Sequence, residues 1–110
     1  MEIRVIIARP GEAPFVTTIE NTLEAMQSVV GGYIERIPVS FIITGTPDVD
    51  LWVNEEGLLI NLPFNRVVAG TPVVGPILVT SSDEEGETTG LSDEQVELTL
   101  AILSNAQGDT

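Results

Sequence analysis

Two helical patterns, far apart in the chain and separated by short β-branched runs, constrain the fold more than any other feature of this sequence. The first is an apolar stripe at helical spacing between Ile19 and Val30, followed directly by two glycines. Such a stripe predicts a helix with one buried face, and a left-handed glycine is a common helix end. Thr17 and Glu20 fit a capping box at the start. We therefore predict a first helix at residues 17–30.

The second helical pattern lies near the C-terminus. Ser92 and Gln95 fit another capping box, in which the side chain of each residue bonds the backbone of the other. An apolar stripe from Val96 to Leu103 follows at helical spacing. A second helix is predicted at residues 92–104.

Short β-branched runs closed by Gly, Pro or acidic turns lie before and between these patterns, and they are typical of strands. The predicted strands are residues 3–8, 33–39, 50–54, 58–62 and 77–80, with residues 41–44 either extending the second or forming another. Asn54-Glu55-Glu56-Gly57 predicts a hairpin turn between the third and fourth strands, with Gly57 left-handed. Alternation is incomplete in the fourth strand, which indicates an apolar outer face available to a partner.

The order strand, helix, several strands, helix predicts an α+β fold. We expect a mainly antiparallel sheet of about four to six short strands, with both helices on one face. A chain of 110 residues, 43% of them hydrophobic, suits a single folded domain over residues 1–110. Residues 81–90 are polar and acidic and predict a mobile loop, whereas residues 106–110 are expected to fray.

The composition argues against several locations and chemistries. No apolar run approaches the roughly 18 to 20 residues that a membrane span requires, and the first residues lack a secretory pattern, so we expect a cytoplasmic protein. Formal net charge is −13, with four arginines and no lysine. Because such a chain repels phosphates, direct nucleic-acid binding is not expected.

The sequence also lacks most of the residue types that catalysis usually requires. Histidine and cysteine are absent, which removes the usual general base, the thiolate nucleophile and the ligands of zinc, haem and iron–sulfur centres. The compact carboxylate pairs, Asp48 with Asp50 and Glu55 with Glu56, fall in or beside turns, where charges are normally solvated. We predict no catalytic residue, no metal and no cofactor, and we do not expect an enzyme.

A candidate ligand-binding site centres on Asn65 and Arg66. A guanidinium fork can hold a carboxylate or phosphate through two hydrogen bonds, and nearby amides and aromatic rings suit a nucleotide-like molecule. The predicted ligand-binding residues are Asn61, Phe64, Asn65, Arg66, Tyr33, Arg36 and Trp52. The alternative is structural, with Asn65 in a left-handed turn and Arg66 paired with a neighbouring carboxylate.

A second candidate surface is the acidic stretch that contains Asp83, Glu84, Glu85 and Glu87. In the structural interpretation these carboxylates are solvated and precede a helix N-terminus, which favours negative charge. In the functional interpretation they imitate nucleic acid and attract a basic protein, because a strongly negative field speeds association with a positive partner. The stretch lacks the fixed glycine and distal glutamate of a calcium loop.

Several short motifs, each weak alone, indicate a protein family when they are taken in order along the chain. They are Gly31 to Glu35, Asn54 to Leu58, Asn65-Arg66 and Val74 to Val79. Together they resemble the domain of unknown function catalogued as family 3846, met mostly in bacteriophages, plasmids and other bacterial mobile elements. The resemblance covers roughly residues 2–80. It implies no enzyme activity, and it implies a bacterial host cell and a role in host interaction.

Two functions stay open at this stage. The first is a non-catalytic protein of phage or mobile-element type that sequesters an anionic, nucleotide-like host-defence signal, in a pocket closed across a homo-oligomer. The second is an acidic interaction module, or nucleic-acid mimic, that inhibits a host protein. They differ in location, because ligand contacts should map to residues 54–66 and partner contacts to the acidic stretch.

Overall fold

The structure, a computed structural model, describes residues 1–37, 48–68 and 70–105. Within them the elements are β1 (Glu2–Ala8), β2 (Phe15–Glu20), α1 (Leu23–Val30), β3 (Ile34–Ile37), β4 (Val49–Asn54), β5 (Phe64–Val68), β6 (Thr71–Val74), β7 (Ile77–Ser82), β8 (Thr88–Thr89) and α2 (Asp93–Asn105). Every strand pairing among these elements is antiparallel. The predicted α+β class is confirmed. The strand considered at residues 41–44 and the fraying expected at residues 106–110 lie outside the described residues.

The main sheet of the described chain has six strands, in the order β2-β1-β7-β4-β3 with β8 paired to β7. Strand β7 lies at its centre, and Ile77, Leu78 and Val79 are each 0% exposed. A strand that is covered on both faces does not alternate apolar and polar residues, which explains this continuous apolar run. Strands β5 and β6 form a separate two-stranded hairpin.

The two faces of the main sheet carry separate cores. Val79 pairs with Leu51 on one face, and Leu78 pairs with Trp52 on the other. The first face packs against α2 and the β5–β6 hairpin, whereas the second packs against α1 through Met26. The prediction that both helices lie on one face is therefore wrong. Because the central strands are apolar on both sides, each face needs its own cover.

The first helix is shorter than predicted. Residues 17–20 belong to β2, which pairs with β1, so the capping box predicted at Thr17 does not form. Helix α1 begins at Leu23, and Thr22 Oγ1 accepts a hydrogen bond of 3.1 Å from the Ala25 N–H. Half-buried and exposed positions alternate along β2. A short apolar pattern can fit both the helical and the strand spacing. Here the segment pairs with β1 and is therefore a strand.

The remaining helix signals are confirmed. Gly31 ends α1 in the left-handed conformation, with φ 83°. At the start of α2 the Ser92 N–H donates to Gln95 Oε1 over 2.9 Å, and the Gln95 N–H donates to Ser92 Oγ over 3.2 Å. These are the reciprocal bonds of a capping box. The stripe that ends at Leu103 is the buried face of this helix.

The hairpin predicted between residues 50–54 and 58–62 is wrong. Residues 55–61 form consecutive turns, and the Leu62 N–H donates to Gly57 O over 2.9 Å. Asn61, with φ 58°, takes the left-handed conformation that was predicted for Gly57. The backbone groups of this segment find partners within the turns, so they do not require a strand neighbour.

Two segments in which no strand was predicted form hairpins. The first joins β5 to β6, with Gly70 at φ 82° beside the turn. In the second, β7 continues to Ser82 and pairs with the two-residue strand β8. The acidic residues 83–87 therefore occupy the turn of a hairpin. The mobility expected for residues 81–90 stays a prediction.

Candidate functional site

A groove of about 510 Å³ opens between β3, β4, the turns that follow β4, and β6. We call it the apolar groove. Most of the side chains that line it are aliphatic, and two are carboxylates. The lining residues are Glu35, Arg36, Ile37, Val53, Asn54, Glu55, Gly57, Leu58, Leu59, Thr71, Pro72, Val73 and Val74. An apolar concavity with few polar groups is the usual form of a binding site.

Asn54 holds the turns that form one wall of the groove. Its buried Nδ2 donates to Val30 O over 3.1 Å, and its Oδ1 accepts from the Glu56 N–H over 2.8 Å. An amide oxygen that bonds the backbone two residues later stabilises a turn. A Cβ atom at Gly57 would lie 2.9 Å from Val74 Cγ2. Glycine therefore lets this wall approach β6 closely.

Three consecutive large apolar side chains project from the same turns. Leu58, Leu59 and Ile60 are 80%, 82% and 52% exposed, and the two leucines line the groove. An exposed aliphatic run beside a concave apolar surface is typical of an interaction site. The sequence predicted an apolar partner surface here on a strand face, and the structure places these side chains on turns.

Asn65, a predicted ligand residue, lies inside the protein. Its Nδ2 donates to Ala8 O over 2.8 Å and to Gly75 O over 2.7 Å, and its Oδ1 accepts from Arg66 Nε over 2.6 Å. It belongs to β5 and does not take the left-handed turn of the structural alternative. Both the amide nitrogen and the amide oxygen of Asn65 are therefore used in hydrogen bonds inside the protein.

Arg66 is also interior, and its side chain is 0% exposed. Besides Asn65 it donates to Leu103 O over 2.8 Å, to Glu12 O over 2.8 Å and to Arg9 O over 3.3 Å. Burial lowers the pKa of Arg66, because desolvation disfavours the charged form. The guanidinium joins β5 to the β1–β2 connection and to α2. In this structure it offers no surface to a ligand, contrary to the predicted anion clamp.

The other three arginines form ion pairs at the surface. Arg4 contacts Asp93 over 2.8 Å, and Arg36 contacts Asp50 over 3.3 Å. Arg9 lies 3.9 Å from a carboxylate oxygen and 5.1 Å from the centroid of an aromatic ring. The pairs of Arg4 and Arg9 are exposed and add little stability, whereas the Asp50 carboxylate that Arg36 contacts is buried. All three pairs cancel positive charge locally, so the outward electrostatic field is negative.

The seven predicted ligand-binding residues do not converge on one pocket. Arg36 lines the apolar groove, whereas Trp52 packs with the core on the opposite face of the sheet. Tyr33 and Phe64 are 67% and 54% exposed and do not line the groove, and Asn61 shapes a turn. Only Arg36 of the set therefore contributes to the groove.

The sequence analysis missed the β6 wall of the groove. No strand was predicted at residues 71–74, where Pro72 is compatible only with an edge position in a sheet. Strand β6 is such an edge, since it pairs only with β5 among the described strands. The valines on both sides of Gly70 are the signal that could have indicated a hairpin.

The acidic residues of the second candidate surface differ in what they contact. Asp83 Oδ1 accepts hydrogen bonds from the N–H groups of Glu85 and Glu87, over 3.0 and 2.9 Å, so Asp83 shapes the hairpin turn. Glu84, Glu85 and Glu87 are exposed.

Within the described residues no cluster of acidic side chains could hold a metal ion, and no helix there is long and apolar enough to cross a membrane.

The fold and site define a small α+β protein with an antiparallel sheet covered on both faces and an apolar groove at one end of it. A family model matches residues 3–104, and the chain belongs to this family, described as Domain of unknown function (DUF3846). The resemblance inferred from short motifs is thus confirmed over nearly the whole chain. No curated protein sequence and no solved structure matches this chain.

Proposed function

We propose that this protein is a non-catalytic binding protein that captures a positively charged segment of a partner protein in the apolar groove. The observation that carries the proposal is the exposure of Leu58 and Leu59, at 80% and 82%, directly on the groove. Covering apolar surface contributes about 25 cal/mol per Å². A partner side chain seated between these leucines and β6 would gain that free energy.

Electrostatics favour a basic partner. Glu35 and Glu55 line the groove, and the chain carries a formal net charge of −13. Such a field raises the association rate of a positive protein and suppresses acidic competitors. An apolar side chain flanked by lysine or arginine would satisfy both the groove and its carboxylates. In a phage or mobile-element setting, the partner would be a basic host protein that this chain inhibits.

The same charge works against a second copy of the chain as the occupant. Two molecules of −13 repel one another, and salt screens this repulsion over about 8 Å at physiological ionic strength. A homo-oligomer, expected from the sequence, stays a prediction that light scattering at low and high salt would test.

A nucleotide-like anion has weaker support as the ligand. Arg66 is buried, and the three other arginines contact carboxylates. A phosphate entering the groove would meet Glu35 and Glu55 beside an Arg36 that is already paired with Asp50, and like charges at close range are unfavourable. Sequestration of an anionic signal stays a prediction, and it is tested beside the proposal.

Selection from a random peptide library, displayed and panned on the immobilised protein, tests the proposal. We expect enrichment of peptides that combine lysine or arginine with large apolar residues. The substitution Leu59→Ser should weaken the binding of synthetic copies of these peptides by about tenfold or more, because burying a leucine side chain contributes roughly 1.5 to 3 kcal/mol. Val16→Ser is the matched control, because Val16 is an exposed aliphatic residue of β2 that lies outside the groove.

Two results would overturn the proposal. One is a set of selected peptides that lacks basic residues, or that binds the Leu59→Ser and Val16→Ser variants equally well. The other is native mass spectrometry with mono-, di- and cyclic nucleotides in which a nucleotide stays bound. That outcome would support sequestration of an anionic ligand in place of a basic protein partner.

A further inference from the structure

A second pocket, of about 320 Å³, lies on the opposite face of the main sheet, beside α1. We call it the Trp52 pocket. Its lining includes Trp52, Met26 and Glu87, together with Leu23 at the start of α1 and the two residues before it. None of its lining residues lines the apolar groove. An inference about this pocket therefore does not depend on the function proposed for the groove.

The β7–β8 hairpin forms one side of the pocket. Asn21 Nδ2 donates to Thr88 O over 3.0 Å and holds the hairpin against the segment that precedes α1. Asp83 Oδ1 accepts from the Glu87 N–H over 2.9 Å, which fixes the backbone of Glu87 beside the pocket. The acidic turn of the hairpin is thus connected to the folded body, and one of its glutamates contributes to a concave site.

An aromatic residue, a thioether residue and an acidic residue line the pocket together. The Trp52 Nε1–H is already donated to Thr80 Oγ1 over 2.9 Å, so the indole N–H is not free for a ligand and the π system is what Trp52 can offer. Tryptophan is the best aromatic partner for a cation, and the thioether of Met26 is soft and polarizable. Glu87 adds the negative charge. These three groups favour a positively charged ligand with apolar substituents.

We propose that the Trp52 pocket binds a compact organic cation, an alkylammonium or guanidinium group. The N-terminal end of α1 also borders the pocket and by itself favours an anion. That preference is reduced, because Thr22 Oγ1 accepts one of these N–H groups, from Ala25, and Glu24 adds a negative charge in the first helical turn. Glu87 and the net charge of −13 then favour a cation.

Tryptophan fluorescence tests the proposal directly, because Trp52 is the single tryptophan of the chain. The probe is choline, and its control is 3,3-dimethyl-1-butanol, a neutral molecule of the same shape. We expect choline to change the Trp52 emission in a saturable way and the alcohol to have much weaker affinity. Equal responses to the two molecules, or no response to choline, would overturn the proposal.

Substitutions in the hairpin separate a specific contact from general charge. Glu87→Gln should weaken choline binding by about two- to fivefold, the range expected for one partly exposed charge pair. Glu84→Gln changes the net charge equally, on the same hairpin and outside the pocket, and should leave the affinity unchanged. Equal weakening by both variants, or tighter binding of acetate or phosphate than of choline, would overturn a cation site.

The source of the cation is distinguished by two further probes. Butylammonium represents a free amine, and a glycine-flanked lysine tripeptide represents a side chain of a partner protein. Tighter binding of butylammonium would support a small-molecule ligand, and tighter binding of the tripeptide would support a lysine presented by a protein. Failure of both, with choline also inactive, would contradict the proposal.

Discussion

The turns at residues 55–61 and the strand β5 that follows them distribute polar and apolar residues in opposite ways. Leu58 and Leu59 stand in solvent, whereas Asn65 and Arg66 are buried a few residues later. Buried polar groups and exposed apolar clusters are the informative exceptions to ordinary folding. The buried pair makes hydrogen bonds inside the protein, so folding explains it. The leucines have no such internal cover, and binding explains them better.

Arg66 also shows what an interior polar residue does in a small protein. Its guanidinium donates to carbonyls of the β1–β2 connection and of α2, which hold these distant segments to β5. A buried charge is costly unless its hydrogen bonds are satisfied. We infer that the pair Asn65-Arg66 is a structural centre, and that partners are bound elsewhere.

The largest effect in this comparison should follow substitution of the buried arginine. Arg66→Met keeps much of the volume but leaves several buried carbonyls without a donor, so we expect a loss of roughly 3 kcal/mol or more in the free energy of unfolding. Urea denaturation measures it. Arg9→Met is the control, because the Arg9 side chain is 48% exposed and its ion-pair partner is exposed as well, and it should cost less than about 1 kcal/mol. Equal losses would contradict the structural role of Arg66.

Asn65→Ala should destabilise the protein by about 2 to 3 kcal/mol, since two buried carbonyls and Arg66 Nε lose their partner. The double variant Asn65→Ala/Arg66→Met sharpens the test. Because the two residues share one network, we expect a coupling energy of about 0.5 to 3 kcal/mol in a double-mutant cycle. Additive losses would show that the two side chains act separately.

Asn54→Ala tests whether a buried side chain stabilises the exposed turns at residues 55–61. It removes bonds to Val30 O and to the Glu56 N–H, and we expect a loss of about 2 kcal/mol. Hydrogen exchange at the Leu62 amide should accelerate as the turns loosen. Asn21→Ala, at an exposed asparagine, should cost less than about 1 kcal/mol and leave that exchange rate unchanged.

The smallest stability effect should come from the exposed leucines. Leu58→Ser and Leu59→Ser should each change the free energy of unfolding by no more than about 0.5 kcal/mol. The matched buried leucine is Leu103, which is 0% exposed, and Leu103→Ala should cost about 2 to 5 kcal/mol. A large loss at Leu58 or Leu59 would mean that these side chains belong to the fold and are not reserved for a partner.

Local sequence signals were sufficient where one pattern dominated. The capping box at Ser92 placed α2 to within a residue, and the β-branched runs placed β1, β4 and β7. They failed where two periods fitted equally. The stripe that begins at Ile19 suits a helix by spacing, but pairing with β1 makes residues 15–20 a strand. Leu58, Leu59 and Ile60 suit a strand by composition, and internal turn bonds prevent it.

The candidate site was less predictable than the fold. The sequence identified Asn65 and Arg66 as unusual, but the accessibility of a side chain depends on what packs over it. Arg66 is covered by α2 and by the β1–β2 connection, segments far away in the chain. The apolar groove likewise joins β3 and β4 to β6, and no local pattern specifies that contact.

By itself, therefore, the sequence determined the α+β class, the second helix, the negative charge and the family, because these depend on composition and on neighbours along the chain. Only the tertiary structure decided that the helices cover opposite faces, that Arg66 is inside and that Leu58 and Leu59 are outside. The physical reason is that burial is set by long-range packing, where pairing and desolvation outweigh local propensity.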